Sequence, residues 1–95
     1  MKRIVLKFGG TSVADESSRQ AAAVIIREAR EECEKLIVVV SAMGRKGAPY
    51  ATDTLLQVYG EGQELPKNRE QDMIYACGEI ISGSILSHEL NTQGI

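Results

Sequence analysis

The sequence predicts an α/β fold in which a mainly parallel sheet is flanked by helices. Two short apolar runs, residues 4–6 and 36–40, are rich in β-branched side chains and predict strands. Between them, residues 17–34 repeat apolar side chains at helical spacing. A strand, a helix and a second strand within about 40 residues form a βαβ unit, so the two strands are expected to lie parallel.

The first helix is predicted to be amphipathic. Its charged side chains are expected to face solvent, and Asp15 or Ser17 is suited to cap its start. The apolar side chains expected on its inner face are those of Ala21, Val24, Ile25 and Ala29.

The second strand is the clearest in the chain. Residues 36–40 are five consecutive apolar residues without alternation. Such a run is typical of a parallel strand that is buried on both faces.

The second half of the chain predicts two further helices. The shorter covers residues 52–59 and is followed by a loop at 60–67. The longer covers 68–91, and Asn68 followed by Gln71 has the spacing of a capping box.

The longer helix contains two glycines, Gly78 and Gly83. Each costs about 1 kcal/mol relative to alanine in a helix interior. A kink or close packing is therefore expected there. The inner side of this helix is expected to carry Ile74, Ile81, Ile85 and Leu86.

The richest chemical feature is the glycine motif, residues 7–13, which follows the first strand and reads KFGGTSV. Two adjacent glycines let backbone N–H groups approach an anion closely, and the preceding lysine supplies a positive charge for a phosphoryl group. Thr11 and Ser12 add hydroxyl donors. The spacing matches neither a Walker A motif nor a dinucleotide fingerprint. A plain turn with a surface lysine remains an equal alternative.

A second candidate is the serine motif, residues 41–44, which follows the second strand and reads SAMG. In open α/β sheets, ligands bind beyond the carboxyl ends of the strands. Parallel strands would place both motifs at that edge, which favours a shared ligand site. The alternative is a turn made of small residues.

Two further positions carry polar side chains that need an explanation. Thr52 and Asp53 are suited to cap the following helix, with or without a role in binding. Glu79 lies among apolar neighbours, so its carboxylate is expected to be exposed, paired or bound to a cation.

Composition excludes several classes of partner. The net charge is −2, and the close basic pair Arg45 and Lys46 is too small for a nucleic-acid surface. No apolar run approaches about 18 residues, so no membrane span is expected and the cytoplasm is the expected compartment. Cys33, Cys77 and His88 do not form a metal-binding pattern, so no metal ligand is identified.

Four stretches, in this order, resemble motifs of the aspartokinases, members of the amino-acid kinase superfamily. They are residues 7–13, 39–44 (VVSAMG), 52–56 (TDTLL) and 78–82 (GEIIS). The loop at 44–53 resembles that of the single-function bacterial type. The resemblance implies an amino-acid kinase fold, of which residues 1–95 would be the N-terminal portion of the catalytic domain.

The resemblance also implies an activity: transfer of the ATP γ-phosphoryl group to the β-carboxylate of L-aspartate, the first step toward lysine, threonine and methionine. ATP with Mg²⁺ is the implied cofactor, and regulatory domains and a homo-oligomer are implied for the full-length protein. The residues implied to bind ATP are Lys7, which is also implied to be catalytic, Phe8, Gly9, Gly10, Thr11, Ser12 and Ser41. Those implied to bind aspartate are Thr52, Asp53 and Glu79, with Glu79 facing the ammonium group.

A two-stranded parallel sheet is not a complete fold. We therefore expect the chain to rely on the remainder of a kinase domain or on a partner subunit, and to be inactive alone. The alternatives are a kinase for glutamate or acetylglutamate, and a non-catalytic nucleotide-binding or assembly module.

Overall fold

The structure, a computed structural model, describes residues 2–60 and 69–95. The elements in chain order are β1 (Arg3–Phe8), a 3₁₀ turn (Gly10–Val13), α1 (Glu16–Glu32), β2 (Lys35–Val40), α2 (Thr52–Gly60) and α3 (Arg69–Thr92). Gly60, predicted to begin a loop, is the last residue of α2. The remainder of that predicted loop and the Asn68 cap lie outside the described residues.

The predicted βαβ unit is confirmed. β1 and β2 pair in parallel, with a register that runs from Arg3 opposite Lys35 to Phe8 opposite Val40. Helix α1 forms the crossover between them. The carboxyl ends of the two strands therefore lie side by side, and the residues that follow each strand start from the same edge of the sheet.

Both α1 and α3 pack on one face of the sheet, which we call the covered face. The core on this side joins both motifs to both helices, and its buried members are Phe8, Val13, Ala22, Ile26, Met43 and Leu86. Partly buried strand residues, including Leu6, Val38 and Val40, complete it.

The opposite face of the sheet, which we call the open face, is exposed among the described residues. Val5, Ile37 and Val39 lie there with 64%, 60% and 44% of their surface accessible. The expectation that β2 is buried on both faces is therefore wrong for this part of the chain. The reason is that α1 and α3 share one side of the sheet and leave the other without cover.

Helix α1 begins one residue before its predicted start. Asp15 is the cap, and its Oδ1 accepts a hydrogen bond of 2.8 Å from the Ser18 N–H. The predicted inner face is wrong by one position: Val24 and Ile25 are about half exposed, whereas the buried residues are Ala22, Ala23 and Ile26. The apolar stripe is wider than the contact, so periodicity alone did not fix which residues face the sheet.

The predicted long helix is confirmed as α3, and the side chains predicted to face inward are buried or partly buried. Leu86 is buried, and Ile74, Ile81 and Ile85 are partly buried. Within the described residues, no helix is both long and apolar enough to cross a membrane.

Candidate functional site

Lys7 lies near the carboxyl end of β1 and projects from the open face. Its position follows from the strand alternation, because Val5 and Lys7 are exposed while Leu6 and Phe8 are covered. In the register, Lys7 is opposite Val39. Neither of the ion pairs found in residues 2–60 and 69–95 involves Lys7. Its ammonium group is therefore available to an anion at this edge.

The glycine motif and the serine motif meet directly. The Ser41 N–H donates to the Phe8 carbonyl at 3.1 Å and extends the sheet ladder by one bond. The Gly44 N–H donates to the Gly10 carbonyl at 2.8 Å. The predicted convergence of the two motifs is thus present, and it is made by backbone groups.

The two glycines of the glycine motif have different surroundings. A Cβ on Gly10 would collide with the carbonyl oxygen of Gly44 and lie 2.6 Å from that of Ala42. A Cβ on Gly9 would have no atom of the described residues within 4 Å. Gly10 is therefore required by the contact between the motifs, whereas the space beside Gly9 is open to a ligand.

The other residues of the glycine motif point elsewhere than Lys7. The side chain of Phe8 is only 8% exposed and belongs to the core, so only its backbone can face a ligand. Thr11 and Ser12 line a cleft of about 270 Å³ between the turn and α1, together with Ser18. The Ser12 N–H already donates to the Gly9 carbonyl at 3.0 Å. Lys7, Gly9 and Ser41 thus lie outside this cleft, whereas Thr11 and Ser12 line it.

Arg19 is a residue that the sequence did not indicate. From α1, its Nε donates to Glu89 Oε1 on α3 at 2.8 Å, and its Nη1 donates to the Val13 carbonyl at 3.1 Å. The same Nη1 lies 3.9 Å from the sulfur of Met43 in the serine motif. No sequence signal could have found this network, because Arg19 and Glu89 are 70 positions apart.

Thr52 and Asp53 are the first two residues of α2, and neither occupies the cap position. Ala51 precedes the helix, and its carbonyl accepts from the Leu55 N–H at 3.1 Å. The expectation that Thr52 or Asp53 caps α2 is therefore wrong. Asp53 remains in the first turn, where a carboxylate interacts favourably with the helix dipole.

Glu79 is exposed on α3, directly after a buried contact at Gly78. A Cβ on Gly78 would lie 2.9 Å from the Cβ of Ala42 and 3.1 Å from the Tyr50 carbonyl. The close packing expected at this glycine is confirmed. Glu79 is the next residue of α3, but no hydrogen bond or ion pair joins Glu79 to Lys7 or Thr52 among the described residues.

The parts of the chain that the structure describes contain no group of three His, Cys, Asp or Glu side chains that could hold a metal ion.

The chain is similar to known proteins in both sequence and structure. Residues 2–95 match the sequence profile of the amino acid kinase family. The chain is 50% identical over 95 residues to Aspartokinase 1 of Bacillus subtilis strain 168, which covers all of this chain and 24% of that protein. It is 38% identical over 95 residues to the Aspartokinase of Thermus thermophilus. This match covers all of the present chain and 22% of that protein.

A solved structure, of aspartate kinase from Synechocystis, superposes with a TM-score of 0.75 at 37% sequence identity. The match covers 96% of this chain and 15% of that one. The chain thus spans about a quarter or less of the length of these relatives. With a profile match over nearly its whole length and the expected α/β arrangement, the chain belongs to the amino acid kinase family.

Proposed function

We propose that this chain forms the phosphate-binding part of an aspartate kinase, an enzyme that transfers the γ-phosphoryl group of ATP to the β-carboxylate of L-aspartate. The observation that carries the proposal is the contact between the glycine motif and the serine motif at the carboxyl edge of the sheet, with Lys7 beside it on the open face. The similarity to proteins named aspartokinases supports aspartate as the acceptor.

The proposed nucleotide site uses charge and space in different residues. Lys7 supplies the positive charge, and no carboxylate among the described residues forms an ion pair with it. Gly9 supplies space, because a phosphate can approach its backbone where a side chain would otherwise stand. Ser41 follows β2, and its backbone N–H donates to the Phe8 carbonyl, so this residue lies at the same edge.

This arrangement suits phosphoryl transfer to a carboxylate. The substrate carboxylate is itself the nucleophile, so the protein needs to position two reactants and stabilise charge on the moving group. Lys7 would stabilise that charge in the transition state. No covalent protein nucleophile is needed.

The proposed aspartate site uses Thr52, Asp53 and Glu79. Glu79 is exposed and carries a negative charge that suits the substrate ammonium group. Gly78 packs against Ala42, which follows Ser41, and Glu79 is the next residue of α3. Thr52 and Asp53 begin α2, which contacts α3.

Replacement of Lys7 by alanine in the complete kinase tests the catalytic part of this proposal. We expect kcat to fall about 100-fold or more, because the lost charge acts mainly in the transition state. The KM for aspartate should change little. Lys35, which lies on the same face at the opposite end of the sheet, provides a matched control in Lys35→Ala. An unchanged kcat in Lys7→Ala would remove Lys7 from the catalytic role.

Glu79→Gln tests the acceptor part. The variant should raise the KM for aspartate while leaving the KM for ATP near its original value. Aspartate, glutamate and N-acetylglutamate should be offered to the unmodified enzyme in the same assay. Preference for either of the latter two would replace aspartate as the acceptor without affecting the proposed phosphate site.

A further inference from the structure

Arg19 connects four parts of the molecule that the proposed function needs to hold together. It lies on α1, and its guanidinium contacts the end of the glycine motif, the serine motif and α3 through Val13, Met43 and Glu89. We propose that Arg19 and Glu89 form a positioning pair that fixes the two motifs in the geometry required for phosphoryl transfer. This inference rests on the proposed function.

The hydrogen bonds of the guanidinium indicate that its role is more than joining two helices. A simple arginine–carboxylate clamp uses two parallel N–H···O bonds. Here only Nε bonds to Glu89, at Oε1, while Nη1 donates to the Val13 carbonyl. Glu89 Oε2 is buried without a hydrogen-bond partner within the described residues. The carboxylate thus holds one edge of the guanidinium and leaves the other to the glycine motif.

The pair is sheltered enough for its geometry to matter. The side chains of Arg19 and Glu89 are 14% and 21% exposed, compared with 63% and 67% for the surface pair of Lys2 and Glu32. Ion pairs at the surface contribute little, whereas a sheltered, hydrogen-bonded pair restrains its partners.

Val13 is the residue through which this restraint reaches the site. It is fully buried and ends the 3₁₀ turn that begins at Gly10. Gly10 in turn accepts the hydrogen bond from Gly44 that joins the two motifs. Arg19 therefore fixes the far end of the same turn whose near end contacts the serine motif.

Lysine cannot replace this arginine. A lysine ammonium is a point charge, whereas the planar guanidinium presents N–H groups in two fixed directions. Arg19→Lys keeps the positive charge facing Glu89 but should lose the bond to the Val13 carbonyl. This variant separates positioning of the motif from pairing of the helices.

The chain provides a matched control on the same helix. Arg27 lies two turns further along α1, and its Nη2 donates to Gln93 Oε1 beyond the end of α3 at 3.2 Å. The structure shows no bond from Arg27 to either motif among the residues it describes. Arg27→Lys should therefore perturb a link between the same two parts of the chain without reaching the site.

The test uses the complete kinase with Arg19→Lys, Glu89→Gln and Arg27→Lys. We expect both variants of the pair to lower kcat about tenfold or more, because small displacements of positioning groups are costly, while the KM for aspartate changes less than about twofold. Arg27→Lys should keep kcat within about twofold of the original value. Equal effects of Arg19→Lys and Arg27→Lys would overturn the proposal.

Hydrogen exchange followed by mass spectrometry provides a readout that does not depend on activity. Residues 10–13 and 41–44 should exchange about fivefold faster or more in Arg19→Lys, since the bond between Gly44 and Gly10 loses its support. Exchange in the middle of α1 should stay unchanged. If Arg19→Lys leaves exchange in the two motifs unchanged, Arg19 and Glu89 do not position them, whatever the activity of the variant. If the unmodified enzyme lacks aspartate-dependent turnover but this exchange pattern is found, the proposed function fails and the structural link stands.

Discussion

Gly9 and Gly10 are neighbours in the sequence, but contacts among the described residues require glycine only at position 10. Gly9 has φ −72° and ψ 172°, a conformation open to any residue, and a Cβ there would lie more than 4 Å from every atom of residues 2–60 and 69–95 outside its chain neighbours. Gly10 has backbone carbonyls of the serine motif against it. Packing within the fold therefore requires glycine at position 10. Glycine at position 9 is instead accounted for by the proposed approach of a phosphate.

This difference gives a prediction for the pair of alanine variants. Gly10→Ala should destabilise the protein by about 1–3 kcal/mol or more, because backbone atoms must move to admit the methyl group. Gly9→Ala should leave the thermal midpoint unchanged and raise the KM for ATP. Thermal unfolding and steady-state kinetics measure the two effects. A Gly9→Ala enzyme with the original ATP kinetics would show that no phosphate approaches this backbone.

Among single residues, the sequence predicted the position of the candidate site better than the surroundings of its members. Lys7, Gly9 and Ser41 lie at the predicted edge because strand ends are fixed by local pattern. The burial of Phe8 and the network of Arg19 depend on contacts between distant parts of the chain, including Met43 24 positions away. Such contacts leave no periodic signal in a single sequence.

Among the helices, α3 contains two glycines with different roles. A Cβ on Gly78 would be compressed against Ala42, the Tyr50 carbonyl and Leu55, whereas one on Gly83 would lie 3.8 Å from Val40. The latter is an ordinary contact distance. Gly78 is therefore a site of close helix packing, and Gly83 is not.

Alanine substitution at these two positions should have opposite effects. Gly83→Ala should stabilise the protein by up to about 1 kcal/mol through helix propensity. Gly78→Ala gains the same propensity but should be destabilising overall, because overpacking costs about 1–3 kcal/mol. Chemical denaturation measures both changes. Stabilisation by Gly78→Ala would mean that α3 does not pack closely on the serine motif.

The cap of α1 gives a prediction for acid stability. Hydrogen bonds from the Ser18 backbone and side chain hold the pKa of Asp15 below its ordinary value of 3.8. A carboxylate whose pKa is lower in the folded state contributes stability above its ordinary pKa, and this contribution is lost as the pH falls through the folded-state value. Asp15→Asn should keep a capping oxygen but lose this pH dependence.

Acid titrations followed by far-ultraviolet circular dichroism test this expectation. Below pH 3.8, the original chain should lose stability more steeply than Asp15→Asn. Ser17→Ala is a suitable control, since Asp15 rather than Ser17 caps the helix. Parallel acid profiles for Asp15→Asn and the original chain would contradict the assigned cap.

The existence and order of the elements were predictable because each has a strong local pattern. The phase of α1 and the burial of β2 were not. Val24 and Ile25 satisfy helical periodicity as well as Ala22 and Ile26 do, and the choice between them is made by the position of the sheet. The apolar sequence of β2 shows that both of its faces can be buried. Packing against other elements decides which face is buried.

At the scale of the whole molecule, the open face of the sheet is the clearest sign that further structure belongs on this chain. Val5, Ile37 and Val39 form an exposed apolar surface beside Lys7, and parallel sheets are normally covered on both faces. The chain also spans only about a quarter of its relatives. We infer that other parts of a kinase domain complete both the sheet and the site.

The purified 95-residue chain should therefore show no aspartate-dependent ATP turnover. A coupled assay for ADP release, with the complete kinase as the positive control, measures this directly. Turnover by residues 1–95 alone would show that the site is complete without further structure, and would overturn the division of the site proposed here.

We propose that ATP phosphates bind where the glycine motif meets the serine motif. The most direct test is a crystal structure of the complete kinase with a non-hydrolysable ATP analogue. We predict that the phosphate oxygens lie within hydrogen-bonding distance of Lys7 Nζ and the backbone at Gly9, beside Ser41. Phosphates bound away from this edge, with Lys7 and Gly9 free of contact, would contradict this claim.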